Sequence, residues 1–335
     1  MSERMDKKLS RLSLGVNASP RVSVVIPVFN AEKTLQGCLS AVVSQEFPKE
    51  HYEVIVVDNG SSDGTWSLIQ SYGSQVHGLQ ESKVQSSYAA RNAGVRASRG
   101  ALIAFTDADC VPDARWLSHL VANFENQRAG CVAGEILSYN PVTSVEKFAA
   151  RTGVLRQRKT LNHPYRPYAV TANVAYRRKV FEQIGLFNSS LKSGGDGDLS
   201  WRMQEQTSWE ICFNDAAIVL HQDRNRLRDL WRQFVRYGQG SAALQALYAD
   251  YRQPSLASVL GGLRKLLRLE RYAVNYLIAT LLMRNPRRIS RETVEFAFYD
   301  FVIQAAYIFG TLRGSGGKVS KIGETNDVLQ EMSCD

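Results

Sequence analysis

Three short apolar runs, each breaking off at a polar or acidic turn, constrain this chain more than any other feature. Val22-Ser-Val-Val-Ile-Pro-Val28, Val54-Ile-Val-Val57 and Ala101-Leu-Ile-Ala-Phe105 are brief and continuously apolar, as strands buried on both faces of a parallel sheet are. Helical spacing fills the intervals. Leu35, Leu39, Val42 and Val43 recur on one face within 31–46, a helix near 64–72 has Asp63 as its N-cap, and another covers 87–98. A weaker strand falls near 76–80, Pro112 and Asp113 restart a helix through about Phe124, and Cys131-Val-Ala133 reads as a further strand. Strand–helix alternation with short connections predicts an α/β fold, a mostly parallel sheet flanked by helices. Ligands of such sheets bind beyond the carboxyl ends of the strands. Two runs end there in acids, one at Asp58 and one at Asp107-Ala108-Asp109, so both acid clusters are expected on one sheet edge.

Residues 1–20 read as a flexible polar tail, 21–222 as the catalytic α/β domain, 223–313 as a basic amphipathic helical extension and 314–335 as a disordered tail. Within the domain, 146–159 is basic and amphipathic, His163 to Tyr168 is a Pro/Tyr-rich loop, and Ala169–Tyr176 reads as a strand. A helix opens at Gly194-Gly195-Asp196-Gly197-Asp198, and short strands at 209–213 and 217–220 lead to His221. Five scattered cysteines without paired spacing, and an N-terminus lacking an apolar signal core, predict a reduced cytoplasmic chain.

The acids carry the chemistry. Asp107 and Asp109, on a tight turn after a buried strand, can present two carboxylates to one hard cation, Mg²⁺ or Mn²⁺. Solvated or helix-capping acids are the bland alternative. Asp58 can accept hydrogen bonds from a nucleobase or ribose, or organise its own turn with Ser61 or Ser62. Asp196 and Asp198 follow two glycines at a helix start, where one could serve as general base, while plain N-capping competes. His221 ends an apolar strand, where an isolated histidine is more often structural than a ligand, and Arg91 could contact phosphate or be solvated.

Seven segments in order, SVVIPVFNAEKTL, EVIVVDNGSSDGTW, AARNAG, ALIAFTDADCVPDARWL, TANVAYRRKVFEQIGLF, GGDGDLSWRM and IVLH, resemble glycosyltransferase family 2, the inverting enzymes of the Rossmann-like GT-A fold. The resemblance covers residues 22–221 and implies roles position by position. Pro27, Phe29, Glu32, Asp58 and Arg91 would serve a nucleotide-sugar donor. Asp107 would face the ribose or the metal, Asp109 would be the principal metal ligand, and His221 a further one. In the family's Glu-Asp-x-Asp-Leu signature the first aspartate is the base, which maps to Asp196. Gly195, Asp198 and Trp201 would support the acceptor side. Two positions depart from the pattern: Gly195 stands where the signature has glutamate, and Phe29 where the family commonly has tyrosine. Processive members carry Gln-x-x-Arg-Trp, whereas this chain has Gln233-Phe-Val-Arg236-Tyr237 and no long membrane spans, which implies single addition.

The resemblance therefore implies an inverting, metal-dependent transferase moving one sugar to a glycan or lipid-linked acceptor, in cell-surface polysaccharide or glycolipid synthesis. A sugar nucleotidyltransferase would need a Gly-rich basic loop after its first strand, which Asn30 to Thr34 does not supply, and a silent binding module of the same fold would have lost its acids. Of the net charge of +9, the stretch His221 to Arg291 holds 14 basic residues against four acids. Its apolar faces (Leu227, Leu230, Trp231 and Phe234; Leu263, Leu266 and Leu267; Tyr276 to Met283) suit an anionic membrane surface. The chain is thus expected on the inner face of the cell membrane. No nucleic-acid motif accompanies the charge.

Overall fold

The computed structural model describes residues 20–251, 271, 274 and 291–314, and in it the three apolar runs lie side by side in one sheet. Strand β1 (Val22–Val28) is buried throughout, because β2 (Tyr52–Asp58) and β4 (Leu102–Thr106) flank it in parallel. Its side chains alternate between two cores, as strand geometry requires. Val24, Ile26 and Val28 pack with helices α1 (Leu35–Val43) and α4 (Trp116–Ala122), whereas Val25 joins Ile103, Phe105 and Phe181 on the other face. Between those helices come α2 (Thr65–Ser71) and α3 (Ser87–Ala97).

With β3 (His77–Gln80), β5 (Cys110–Pro112), β6 (Ala129–Ser138), β7 (Asn173–Arg177) and β8 (Glu210–His221), the order across the sheet is β3-β2-β1-β4-β7-β6-β8-β5. β7 runs against both β4 and β6, and β5 runs against β8, so the sheet is mostly parallel with two reversed strands. Val28 lies level with Asp58 and Val25 with Phe105, so β1, β2 and β4 end along one edge.

Several elements differ in extent from the sequence reading. The expected helix restart at Pro112 is displaced: Cys110–Pro112 pairs with β8, and the helix begins at Trp116. Gly64 takes the N-cap position of α2, while Asp63, one residue earlier, accepts the Thr65 amide at 3.1 Å. The two strands expected at 209–213 and 217–220 are one strand with an irregularity. Asn214 pairs with Gly134, yet Ile218 pairs with the next residue, Glu135. The carbonyls left over at that step are satisfied by the buried Asn173 amide, which donates to Glu135 O and Ala217 O, each at 2.8 Å.

Helices α5 (Ser144–Thr152), α6 (Gln157–Leu161), α7 (Arg178–Ile184) and α8 (Gly195–Gln206) complete the domain. Beyond it, α9 (Leu227–Leu247) and α10 (Arg291–Gly314) pack closely together. Leu230 of α9 is buried with Phe148, Phe296 and Ile303, and Leu227 and Phe234 pack against them, so this apolar face is covered by α5 and α10. Trp231 meets Phe309 at 6.2 Å. The apolar residues 263–267 and 276–283, and residues 1–19 and 315–335 of the two tails, lie outside the described residues. Among the described residues no helix is long and apolar enough to cross a membrane.

The α9–α10 contact depends on glycine. A β-carbon on Gly238 would strike Tyr307 O, and one on Gly310 would strike Val235 O. Gly→Ala inside an unconstrained helix gains about 0.5–1 kcal/mol. Here overpacking against fixed backbone, which costs about 1–3 kcal/mol, outweighs that gain. Gly310→Ala should therefore lower the melting temperature; a rise would mean that the two helices separate at little cost.

Candidate active site

The ends of β1 and β4, the start of α3, the entry to α8 and one side of α9 enclose a cleft of about 670 Å³. Each wall follows from local sequence. Asp107 and Asp109 leave β4 on a turn closed by the bond from Cys110 N–H to Asp107 O at 3.0 Å. The next three residues pair with β8 so that Cys110 lies opposite His221, and Gln222 N–H donates to Asp109 O at 2.8 Å. Asp109 and His221 are thereby neighbours despite their distance in sequence.

His221 Nε2 is 3.6 Å from Asp109 Oδ2, and its Nδ1 is 3.3 Å from Asp223 Oδ1. Burial works against a charged imidazole, but Asp109 and Asp223 outweigh it and lift His221 to about 9. Burial likewise opposes ionisation of Asp109, yet His221 and Arg224, at 3.4 Å, hold its carboxyl below the ordinary value. Asp107 is engaged differently. Arg91, 4% exposed on α3, donates from Nη2 to Asp107 Oδ1 at 2.6 Å, and its own Nε has no hydrogen-bond partner.

Whether these residues suit a divalent cation rests on the donor set. An aspartate oxygen and an imidazole nitrogen face one another, and a carboxylate behind the ring fixes which nitrogen points forward, the usual support of a metal-ligating histidine. No three His, Cys, Asp or Glu side chains converge on one point among the described residues. Two protein ligands with phosphate oxygens completing the shell is how Mg²⁺ and its relatives are commonly held in phosphate sites. The set fits that arrangement.

Asp196 lies in the same cleft at the start of α8. Its carboxylate accepts the Thr171 hydroxyl at 3.1 Å and the Thr171 amide at 3.4 Å. Burial pushes its carboxyl above the ordinary value, Asp107 acts in the same sense, and Arg91 and Thr171 oppose. A carboxylate so perturbed, in a cleft and within reach of solvent, is poised to take a proton.

The other residues named from sequence divide between the cleft and its surroundings. Pro27 and Phe29 line the cleft, with Phe29 49% exposed at its rim. Glu32 and Asp58 stand outside its wall. The Glu32 carboxylate accepts the Gly64 amide at 3.2 Å, and Asp58, 1% exposed, accepts the Ser61 amide at 3.2 Å, the turn-organising arrangement. Asp198 is buried rather than presented to the cleft. Arg202 contacts it from Nε at 3.0 Å and Nη2 at 2.9 Å, and Tyr248 donates to it at 2.9 Å. Breaking a buried pair of this kind costs about 3–5 kcal/mol. Asp198→Ala should therefore cause a large loss of thermal stability, and an unchanged melting temperature would contradict the structural role. Trp201, 1% exposed, backs the cleft wall and donates from Nε1 to Arg166 O at 3.1 Å.

Four residues that the sequence reading did not assign take part. Thr171 holds Asp196, and its only signal was its place in the TANVAY segment. Asp223 stands two residues beyond His221, a spacing that could have been read. Arg224 pairs with Asp109. Tyr88 accepts the Gly195 amide at 2.9 Å, and nothing local in the sequence points to that contact.

With this geometry in place, the similarity to known proteins is informative. The Glycosyl transferase family 2 model matches residues 23–185. The glycosyltransferase AglE of Haloferax volcanii is 37% identical over 226 residues, covering 66% of this chain and 73% of that protein. The pre-mycofactocin glycosyltransferase of Mycobacterium tuberculosis is 29% identical over 244 residues, and the match spans only 50% of its length. Among solved structures, the mannosyltransferase PcManGT of Pyrobaculum calidifontis, in complex with GDP-Man and Mn²⁺, superposes with a TM-score of 0.61 over 93% of this chain and 92% of its own. At 18% identity that likeness speaks for the fold.

Proposed function

The chain belongs to glycosyltransferase family 2, and from that premise we propose that it moves one sugar from a nucleoside diphosphate sugar to an acceptor hydroxyl, inverting the anomeric carbon. The observation that carries this reading is the convergence of Asp196, the Arg91–Asp107 pair and the Asp109–His221 pair on one cleft. Asp196, held by Thr171, takes the proton of the acceptor hydroxyl as that oxygen attacks the anomeric carbon. Departure of the nucleoside diphosphate on the opposite side completes a single displacement, so no covalent nucleophile is required. Arg91 keeps Asp107 oriented at the donor side. Asp109 and His221 would hold the divalent cation, Mg²⁺ or Mn²⁺, whose chemistry is to neutralise charge on the departing diphosphate. The GDP-Man and Mn²⁺ bound to PcManGT support this donor class and this cofactor.

Incubation with UDP- and GDP-sugars, with and without Mn²⁺ or Mg²⁺, tests the reading. Cation-dependent release of nucleoside diphosphate is expected, and transfer products should have the anomeric configuration opposite to the donor's. A retained configuration would rule out the single displacement. The retained acids support a catalyst over a silent module, and nothing observed favours a nucleotidyltransferase.

A glycan or lipid-linked acceptor at an anionic membrane surface, in cell-surface polysaccharide or glycolipid synthesis, completes the proposal. Its support is the basic excess after His221, with Arg228 and Arg232 exposed on α9 and Phe309 and Leu312 exposed on α10. Binding to phosphatidylglycerol vesicles should exceed binding to phosphatidylcholine vesicles and fall as salt is raised. Equal binding to both would remove the membrane from the proposal.

A further inference from the structure

The family's signature glutamate is Gly195 in this chain, and the structure gives the change a physical cause. A β-carbon on Gly195 would lie 2.6 Å from Cζ of Tyr88, so the ring occupies the space a side chain would need. Tyr88 is fixed there by stacking on Phe187 at 5.7 Å and by accepting the Gly195 amide. That bond uses a lone pair of its oxygen. Its O–H proton has no acceptor among the described residues. Where a glutamate would accept hydrogen bonds, this chain presents a donor.

The cations around that donor point the same way. Of the basic groups lining the cleft, Arg91 is committed to Asp107 and Arg224 to Asp109. Lys192 and Arg236 also line it, both are exposed, and neither meets a carboxylate among the described residues. They sit on the α8 side. Lys192 precedes the Gly194 turn into α8, and α9 brings Arg236 there by packing Gly240 on Ser193 and Leu244 on Gly194. Arg236 acts electrostatically on Tyr88, opposing the burial that raises its phenol. A group seated here meets two cations without a carboxylate partner among the described residues and an O–H donor, from three separate segments, beside the Asp196 carboxylate.

We propose that the acceptor of this enzyme carries a phosphate group, which docks between Lys192, Arg236 and the Tyr88 hydroxyl while Asp196 faces the hydroxyl to be glycosylated. Phosphate suits donors arriving from several directions, since its oxygens are tetrahedrally disposed. The proposal rests on the transferase reading and specifies its acceptor class.

The test is equilibrium binding to the full chain saturated with UDP or GDP and Mn²⁺, using octyl phosphate against octanol and glucose 1-phosphate against methyl glucoside. At least one phosphate probe should bind tenfold or more tightly than its neutral counterpart. Arg236→Gln and Lys192→Gln, both at exposed positions, should each weaken that binding about threefold to tenfold and leave nucleotide affinity within about twofold. Preference for octyl phosphate identifies a lipid phosphate, and preference for glucose 1-phosphate a sugar phosphate. Phosphate probes no better than neutral ones overturn the proposal, as does displacement of the nucleotide by the probe. Weakened nucleotide binding in either variant also overturns it, because the cations then serve the donor diphosphate. If neither nucleotide binds, the transferase reading fails, and the same probes on the free protein still decide the phosphate site.

Discussion

Asp196→Asn should reduce sugar transfer by about 10²–10⁴-fold, the usual contribution of a positioned general base, with donor binding little changed. The stability of the same variant makes the result interpretable. The Asp196 carboxyl is raised in the folded state, so its contribution is fully present below the unfolded value and is lost as pH rises through the raised one. At neutral pH the ionised group is thus a burden on the fold, and asparagine should leave the melting temperature equal or higher. Asp198→Ala, two residues away, should do the opposite to the fold, since that carboxylate is buried against Arg202. Because the base must be ionised, the acid limb of the pH–rate profile should fall off above the pH expected of an ordinary aspartate. Near-normal turnover of Asp196→Asn would remove Asp196 as the base.

Asp109→Asn should have the second large effect. We expect Mn²⁺-dependent nucleotide binding to weaken by at least about 100-fold, because second-shell changes alone typically cost 10–100-fold. His221→Ala should weaken it less, since Asp109 and the phosphates remain. Asp223→Asn tests the ring's support. It should lower cation affinity about 10–100-fold without touching the ion. Mn²⁺ binding followed by electron paramagnetic resonance in the presence of UDP or GDP reads all three. Unaltered Mn²⁺ affinity in Asp109→Asn would place the cation elsewhere.

The sequence exposed those parts of fold and site that depend on neighbours along the chain. β1, β2 and β4 were legible because strands buried on both faces are apolar at every position. The paired acids were legible because they stand where such strands end. What stayed hidden depends on partners far apart. β5 has only three residues, so no periodicity could reveal it, and the irregularity of β8 shows only when Asn173 bridges it. Asp58 and Glu32 read from sequence as donor ligands, and their loop contacts were not legible: Asp58 accepts the Ser61 amide of its own turn and Glu32 the Gly64 amide of the neighbouring loop. Asp198 resembled its neighbour Asp196 in sequence, and helical rotation separates them, one toward the cleft and one toward Arg202. The space taken by Tyr88 beside Gly195 joins positions 107 apart.

The pairing of β5 with β8 also sets an order of events. Asp107 and Asp109 emerge early from the ribosome, whereas Arg224, which pairs with Asp109, follows 115 positions later. Contacts so distant in sequence form late, since a long loop must be closed first. A nascent chain therefore holds only one side of the proposed cation site until translation has passed residue 221. Activated sugar cannot be engaged productively by a partly made enzyme, so competence to spend donor arrives together with the means to direct it to an acceptor.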